Sequence, residues 1–151
     1  YFDIKDLFVK QITDLSKNKP VFIKSAKLNG EQETQELTTI NWKKELEPFV
    51  ESDLNKPAFV QSYNIVETDS TLQYLLKTGE KLPISSILLK RKKNQISNIE
   101  IAINDENMLY TLNKALIAEF EKGQLKKYSI KGNQKILIFE QENFHIIGQR
   151  K

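Results

Sequence analysis

Cysteine is absent from this chain of 151 residues, and histidine, glycine and arginine are scarce. Without cysteine the chain can form neither a disulfide nor a thiolate-bound metal site, so a packed core must stabilise the fold. The five glycines and four prolines are too few for a disordered chain. No apolar run approaches the roughly 18 residues of a membrane span, and we expect no transmembrane segment. The sequence predicts a single domain over residues 1–151.

The shortage of catalytic side chains argues against an enzyme. The phosphate-binding pattern GxxxxGK[ST], the dinucleotide pattern GxGxxG and the zinc-protease pattern HExxH are all missing. His145, the one histidine, lies in "NFHIIG" at a position predicted to face solvent on a late strand, with no acid at a spacing that would orient it. We therefore predict no catalytic residue, no metal site and no cofactor. A Ser-His-Asp assembly from distant segments stays open as an alternative.

Four consecutive cations, Lys90 to Lys93, raise the question of nucleic-acid binding. A nucleic-acid surface needs aromatic side chains for stacking or arginines for bidentate base contacts. The chain has only Arg91 and Arg150, and no aromatic residue lies between Ser85 and Asn107. We interpret the run as a charged hairpin end that favours solubility and opposes edge pairing, and we expect no nucleic-acid partner.

Charge is unevenly distributed along the chain. Residues 30–54 hold seven carboxylates and two lysines, a net charge of −5, whereas residues 122–151 hold seven cations and two carboxylates, a net charge of +5. One interpretation is that these are two solvated faces that attract one another in the fold. The other is a polarised surface that orients a partner.

Two helices are predicted in the first third of the chain. The first spans Asp3 to Asn18, with Asp3 as its N-cap, Leu7, Phe8, Ile12 and Leu15 at helical spacing, and Pro20 after its end. The second begins at the N-cap Asn41 and carries Trp42, Leu46, Phe49 and Val50 on one stripe. Pro48 predicts a kink or a shift to a second short turn, and the helix should end near residues 55–57.

A hairpin between these helices is the clearest local pattern. Asn29-Gly30 supplies the two residues that tolerate positive φ in a type I′ turn. A two-residue loop pairs Leu28 with Glu31 and Phe22 with Leu37. Because the distal half is polar on both faces, the hairpin should project from the body or form a sheet edge.

Period-two alternation replaces the helical period after Pro57. Short turns, among them Lys93-Asn94-Gln95, Asn104–Asn107 and Gly132-Asn133, separate the segments and can join only antiparallel neighbours. The predicted strands are Phe59–Val66, Thr71–Lys77, Ile84–Lys92, Ile96–Ile103, Met108–Ile117, Leu125–Ile130, Lys135–Glu140 and Phe144–Ile147. The sequence therefore predicts an α+β fold, a long antiparallel, twisted β-sheet (meander) with two helices packed on one face.

The order of these elements resembles one family. "DIKDLFVKQITDLSKNKP", the "KLNGEQET" hairpin, "INWKKELEPFVESDLNKPAF" and "SYNIVETDS" are together similar to uncharacterised lipid-anchored envelope proteins of the Bacteroidota, over residues 1–75. The most specific stretch is "NWKKELEPFVESDLNKP". In that family a signal peptide ends at an acylated cysteine, and the mature domain follows a short linker. The resemblance implies an exported lipoprotein, periplasmic or anchored to the outer membrane by a lipid on a cysteine ahead of Tyr1.

Two functions compete on these observations. The first is a noncatalytic envelope binding or scaffolding domain whose partner is an envelope protein or another envelope component. The alternative is a small carrier that encloses an apolar ligand such as the acyl chain of a lipid. A carrier needs a cavity of a few hundred Å³, whereas a scaffold fills that space to interior density. In either case the expected apolar lining is Trp42, Phe49, Phe59, Tyr63 and Tyr74.

Overall fold

A computed structural model describes all residues from Tyr1 to Lys151. It contains one sheet of nine strands, in which every neighbouring pair is antiparallel. The strands are β1 Phe22–Leu28, β2 Glu31–Leu37, β3 Tyr63–Glu67, β4 Thr71–Leu76, β5 Ile84–Lys92, β6 Gln95–Glu106, β7 Tyr110–Glu121, β8 Gln124–Ile136 and β9 Glu142–Arg150. The predicted α+β class with a long antiparallel sheet is confirmed.

The spatial order of the strands is β2-β1-β9-β8-β7-β6-β5-β4-β3. Strands β3 to β9 form a meander because each is joined to its neighbour by a short connection. The N-terminal hairpin enters on the far side, where β1 pairs with β9 and Phe22 lies opposite Arg150. The hairpin has the predicted register, with Leu28 opposite Glu31, and β2 forms one edge of the sheet.

Helix α1, Ile4–Asn18, begins as predicted. Asp3 Oδ1 accepts a hydrogen bond from the Asp6 amide at 2.9 Å, and the helix ends where Lys19 adopts a φ of 47°. The stripe facing the core includes one residue that hydrophobic spacing does not predict, Gln11, beside Ile4, Phe8 and Leu15. Gln11 is buried because its amide bonds to the turn between β7 and β8.

The second predicted helix is divided as its proline suggests. Helices α2, Trp42–Glu45, and α3, Glu47–Val50, meet at Leu46 just before Pro48. The predicted end near residues 55–57 was wrong, since α3 ends at Val50 and a short 3-10 helix occupies Pro57–Phe59. That helix also shortens the predicted strand Phe59–Val66, which begins at Tyr63.

The helices pack on a single face of the sheet. Phe8 of α1 contacts Phe120 of β7, and Trp42 of α2 contacts Phe22 of β1 and Tyr128 of β8. The opposite face, which we call the helix-free face, carries no helix. Its central cross-strand row is only half-buried and consists of Ser25, Ile147, Ser129, Ile117, Glu100 and Leu88.

Three turn and strand predictions in the second half were wrong. The Asn104–Asn107 turn is displaced because β6 continues to Glu106. Strand β8 runs through Gly132-Asn133, where a turn was predicted, and Lys135–Glu140 is therefore not a separate strand. Gly132 serves close strand approach instead of a turn, since a Cβ there would lie 2.2 Å from the Asn113 carbonyl oxygen.

Candidate functional site

The aromatic residues expected to line a ligand site lie in the packed core. Trp42 is buried against Phe22 and Tyr128, with ring centroids 4.7 and 5.9 Å away. Phe49 is buried and stacks on Phe8 at 4.7 Å. These two residues fill the space between the helices and the sheet.

Phe59, Tyr63 and Tyr74 form a separate group around Tyr1. The ring centroid of Tyr1 lies 5.8 Å from that of Tyr63 and 5.2 Å from that of Tyr74. The Tyr63 hydroxyl donates to the Ile84 carbonyl at 2.7 Å, and burial raises its pKa to about 12. Phe59 is half-buried and lines a surface groove of about 350 Å³. The five expected residues thus lie in two groups and contribute to core packing.

The largest exposed apolar side chains gather elsewhere, at one end of the sheet. Met108 is 96% exposed in the β6–β7 turn, and Ile138 and Phe139 are 95% and 66% exposed in the β8–β9 loop. The two loops are adjacent, because the Leu137 amide donates to the Leu109 carbonyl at 3.0 Å. We call this surface the apolar tip, and it comprises Met108, Leu109, Ile136, Leu137, Ile138 and Phe139.

The conformations of the two turns keep these side chains exposed to solvent. The Asn107 side-chain oxygen accepts from the amides of Leu109 and Tyr110 at 2.7 and 3.0 Å, an Asx turn that closes the first loop. In the second loop Leu137 adopts a φ of 46°, an uncommon conformation for a residue with a Cβ. Asparagine at 107 is therefore the local signal for the first loop.

Carboxylates surround the apolar tip. Glu106, Glu140 and Glu142 are exposed beside it, and Asp105 accepts a hydrogen bond from the Tyr110 hydroxyl at 2.7 Å. Lys135 is the one basic residue in the flanking segments 105–110 and 135–142. The tip therefore combines apolar side chains with an acidic rim.

Sequence reasoning missed this surface because it interpreted "KILIFE" as a strand. A strand with one solvated face alternates polar and apolar residues, but Ile136 to Phe139 are four consecutive apolar residues. That lack of alternation was the available signal. A doubly buried strand would carry the same run, so the sequence alone does not separate a buried strand from an exposed loop.

His145 lies on the helix-free face, as predicted. Its Nε2 is 3.1 Å from Ser129 Oγ, and Lys27 and Lys131 are its cross-strand neighbours. Burial and these two lysines lower the pKa of His145. The pair lacks a carboxylate bonded to the imidazole, the group that orients histidine in a catalytic triad.

No three histidine or carboxylate side chains are grouped closely enough to hold a metal ion. None of the helices has the length and apolar character needed to cross a membrane. The chain matches no protein-family model, no curated protein and no solved structure. The apolar tip is therefore the candidate functional site on its own geometry.

Proposed function

We propose that this chain is a noncatalytic binding or scaffolding domain of the bacterial envelope that docks onto an envelope protein through the apolar tip. The observation that carries the proposal is the nearly complete exposure of Met108 and Ile138 in two hydrogen-bonded loops. Contiguous exposed apolar patches on a folded domain mark interaction surfaces. The envelope location rests on the sequence resemblance over residues 1–75.

Burial of the tip side chains would contribute to the free energy of binding a partner. Full burial of a Met, Ile or Phe side chain contributes about 1.5–3 kcal/mol. Met108, Ile138 and Phe139 start almost fully or two-thirds exposed, so most of that energy is still available to a partner. These three residues can serve as the anchors of an interface.

The acidic rim of the tip favours a protein partner over a lipid surface. Glu106, Glu140 and Glu142 would be repelled by an anionic bilayer, whereas a basic protein surface with an apolar pocket complements both features. The carrier alternative draws no comparable support, because its expected lining residues Trp42 and Phe49 fill the core.

Site-specific cross-linking tests this proposal. A photoreactive amino acid replaces Ile138 in cells that express the protein, and a second version carries it at Val60, which is also exposed but belongs to neither loop of the tip. We expect one envelope protein to be cross-linked from position 138 only, and the adduct to disappear when Met108→Ser and Phe139→Ser are added. Thermal melting confirms that these variants fold.

Flotation with lipid vesicles provides the second arm. The purified protein should not float with zwitterionic or anionic vesicles. If the protein does float with vesicles, and Met108→Ser with Phe139→Ser abolishes flotation, the partner of the tip is a lipid surface and not a protein. Identical cross-linking from positions 138 and 60 would overturn the proposal.

A further inference from the structure

A groove of about 580 Å³ lies on the helix-free face, and none of the residues of the apolar tip lines it. Two adjacent cross-strand rows form it. The amide row consists of Asn104, Asn113, Asn133 and Asn143, one from each of β6, β7, β8 and β9. The basic row beside it includes Lys27, His145 and Lys131 from β1, β9 and β8.

Small residues give the groove its depth. Ala115 and Ala102 lie opposite each other and continue the basic row on β7 and β6, where their short side chains leave space beside the amide row. The depression is thus built into the sheet.

The charge of the groove is positive. Lys27 and Lys131 present their side chains to it, and no carboxylate lines it. His145 remains neutral near pH 7, because burial and the two flanking lysines lower its pKa. Its imidazole can therefore donate one hydrogen bond and accept another.

Two hydrogen bonds position three of the four amides. Asn113 Nδ2 donates to Asn133 Oδ1 at 3.2 Å, and Gln141 Nε2 donates to Asn143 Oδ1 at 3.2 Å. Each amide carries two donors and two lone pairs, so these contacts leave capacity for a ligand. The strands repeat about every 4.8 Å, a spacing close to the width of one sugar ring.

We infer that this groove binds an acidic sugar, with the amide row contacting ring hydroxyls and Lys27 and Lys131 holding a carboxylate. A nucleic acid is a poorer fit, because the groove contains no arginine and its one aromatic residue, Phe144, packs against the core. An apolar ligand is a poorer fit because amides and cations form the walls.

A titration with defined sugars tests the inference. Trigalacturonate, galacturonate, maltotriose and inorganic phosphate are added to the whole chain at equal ionic strength, and amide chemical shifts are followed by NMR. We expect saturable binding of trigalacturonate with shifts confined to β6–β9 and β1, weaker binding of galacturonate, and none of maltotriose or phosphate.

Variants of equal charge provide the control. Lys27→Gln with Lys131→Gln should weaken trigalacturonate binding at least tenfold, and Asn133→Ala should weaken it several-fold. Lys5→Gln with Lys43→Gln, both exposed on helices, should leave it unchanged. Binding of phosphate as tight as that of the sugar, absence of saturation, or equal loss in both lysine pairs would overturn the inference.

Discussion

Tyr128 connects the helices to the sheet. Its ring is buried between Trp42 and Gly148, and its hydroxyl donates to Glu45 Oε2 at 2.6 Å. Lys24 Nζ lies 2.7 Å from the same carboxylate oxygen, so the charge of Glu45 is paired within the half-buried contact. Burial, followed by the hydrogen bond to Glu45, raises the pKa of Tyr128. One side chain thereby fixes α2 against β8, β9 and β1.

Gly148 makes this position of the Tyr128 ring possible. A Cβ at position 148 would lie 2.1 Å from a ring carbon of Tyr128. We expect Gly148→Ala to reduce the free energy of unfolding by about 2–3 kcal/mol through overpacking. Urea denaturation measures the change. In a Tyr128→Ala background the same substitution should cost less than about 1 kcal/mol, and equal costs in both backgrounds would contradict the explanation.

His145 should give stability a pH dependence. Its pKa is lowered in the folded state below the ordinary value of 6.5, so the unfolded chain binds a proton first as pH falls. Its contribution is fully present above pH 6.5 and is lost as pH falls below that value. We expect His145→Gln to be within about 1 kcal/mol of wild type at pH 8 and to lose less stability between pH 6.5 and 5. Parallel urea-denaturation curves across this range would contradict the prediction.

The sequence predicted the structural roles of individual residues correctly where those roles depend on near neighbours in the chain. Asp3 and Asn41 are N-caps as predicted, because the cap depends on amides one turn away. The roles of Gly132 and Gly148 depend on residues of neighbouring strands, which no local pattern specifies. For the same reason the five aromatic residues were predicted as apolar but not as two separate groups.

At the scale of elements, turn chemistry decided which predictions were correct. Asn29-Gly30 fixed the hairpin register because both residues adopt the positive φ that a type I′ turn requires. Lys93 and Asn94 do the same between β5 and β6, at φ values of 53° and 62°. Gly132-Asn133 has similar composition but lies within β8, since pairing with β7 outweighs turn preference there.

Helix α1 is attached to the sheet by a single polar side chain as well as by its apolar stripe. Gln11, 5% exposed, donates to the Gly123 carbonyl at 2.9 Å and accepts from the Leu125 amide at 3.0 Å. Gln11→Leu removes the partner of the buried Leu125 amide and of the Gly123 carbonyl in the turn, and we expect the free energy of unfolding to fall by about 2–3 kcal/mol in thermal or urea denaturation. Gln11→Glu, which keeps the acceptor, should lose less.

A matched control is available on the same helix. Ser16 is exposed, so Ser16→Ala should change stability by no more than about 0.5 kcal/mol. If Gln11→Leu lowered the free energy of unfolding as little as Ser16→Ala does, the two hydrogen bonds of Gln11 would not be what attaches α1 to the sheet.

For the whole molecule, the two oppositely charged regions of the sequence meet at one edge. Lys151 Nζ lies 2.6 Å from Glu36 Oε1 on β2, the edge strand. This one exposed ion pair is a contact of the kind that the first interpretation expects, and the choice between the two interpretations stays a prediction. The sequence did not reveal that β1 lies beside β9, because that pairing joins the two ends of the chain.

The run Lys90 to Lys93 makes only weak ion pairs. Lys90 Nζ lies 3.7 Å from Glu100, and Arg91 lies 3.4 Å from Glu67, both at the surface. Changing all four cations to Gln should alter stability by less than about 1 kcal/mol. The net charge falls from +3 to −1, and we expect lower solubility, measured by precipitation with polyethylene glycol.

A control set separates position from net charge. It replaces four exposed helix lysines with Gln, namely Lys5, Lys17, Lys43 and Lys44. We expect a smaller loss of solubility from this set, because it leaves the β5–β6 hairpin end charged. Salt-sensitive binding of the wild type to DNA, lost in the Lys90 to Lys93 variant only, would contradict our interpretation of the run.

The pairing of β1 with β9 also orders events during synthesis. The ribosome makes β1 early, yet the bond between the Asn143 amide and the Asn29 side chain joins residues 114 positions apart. The β1–β2 hairpin needs only its own turn to form, but β1 has no second neighbour in the sheet until β9 has been synthesised. Loop closure over this separation is entropically costly, so attachment of the hairpin should be the slow, final step of folding. Throughout most of translation the growing sheet therefore ends in an unpaired strand.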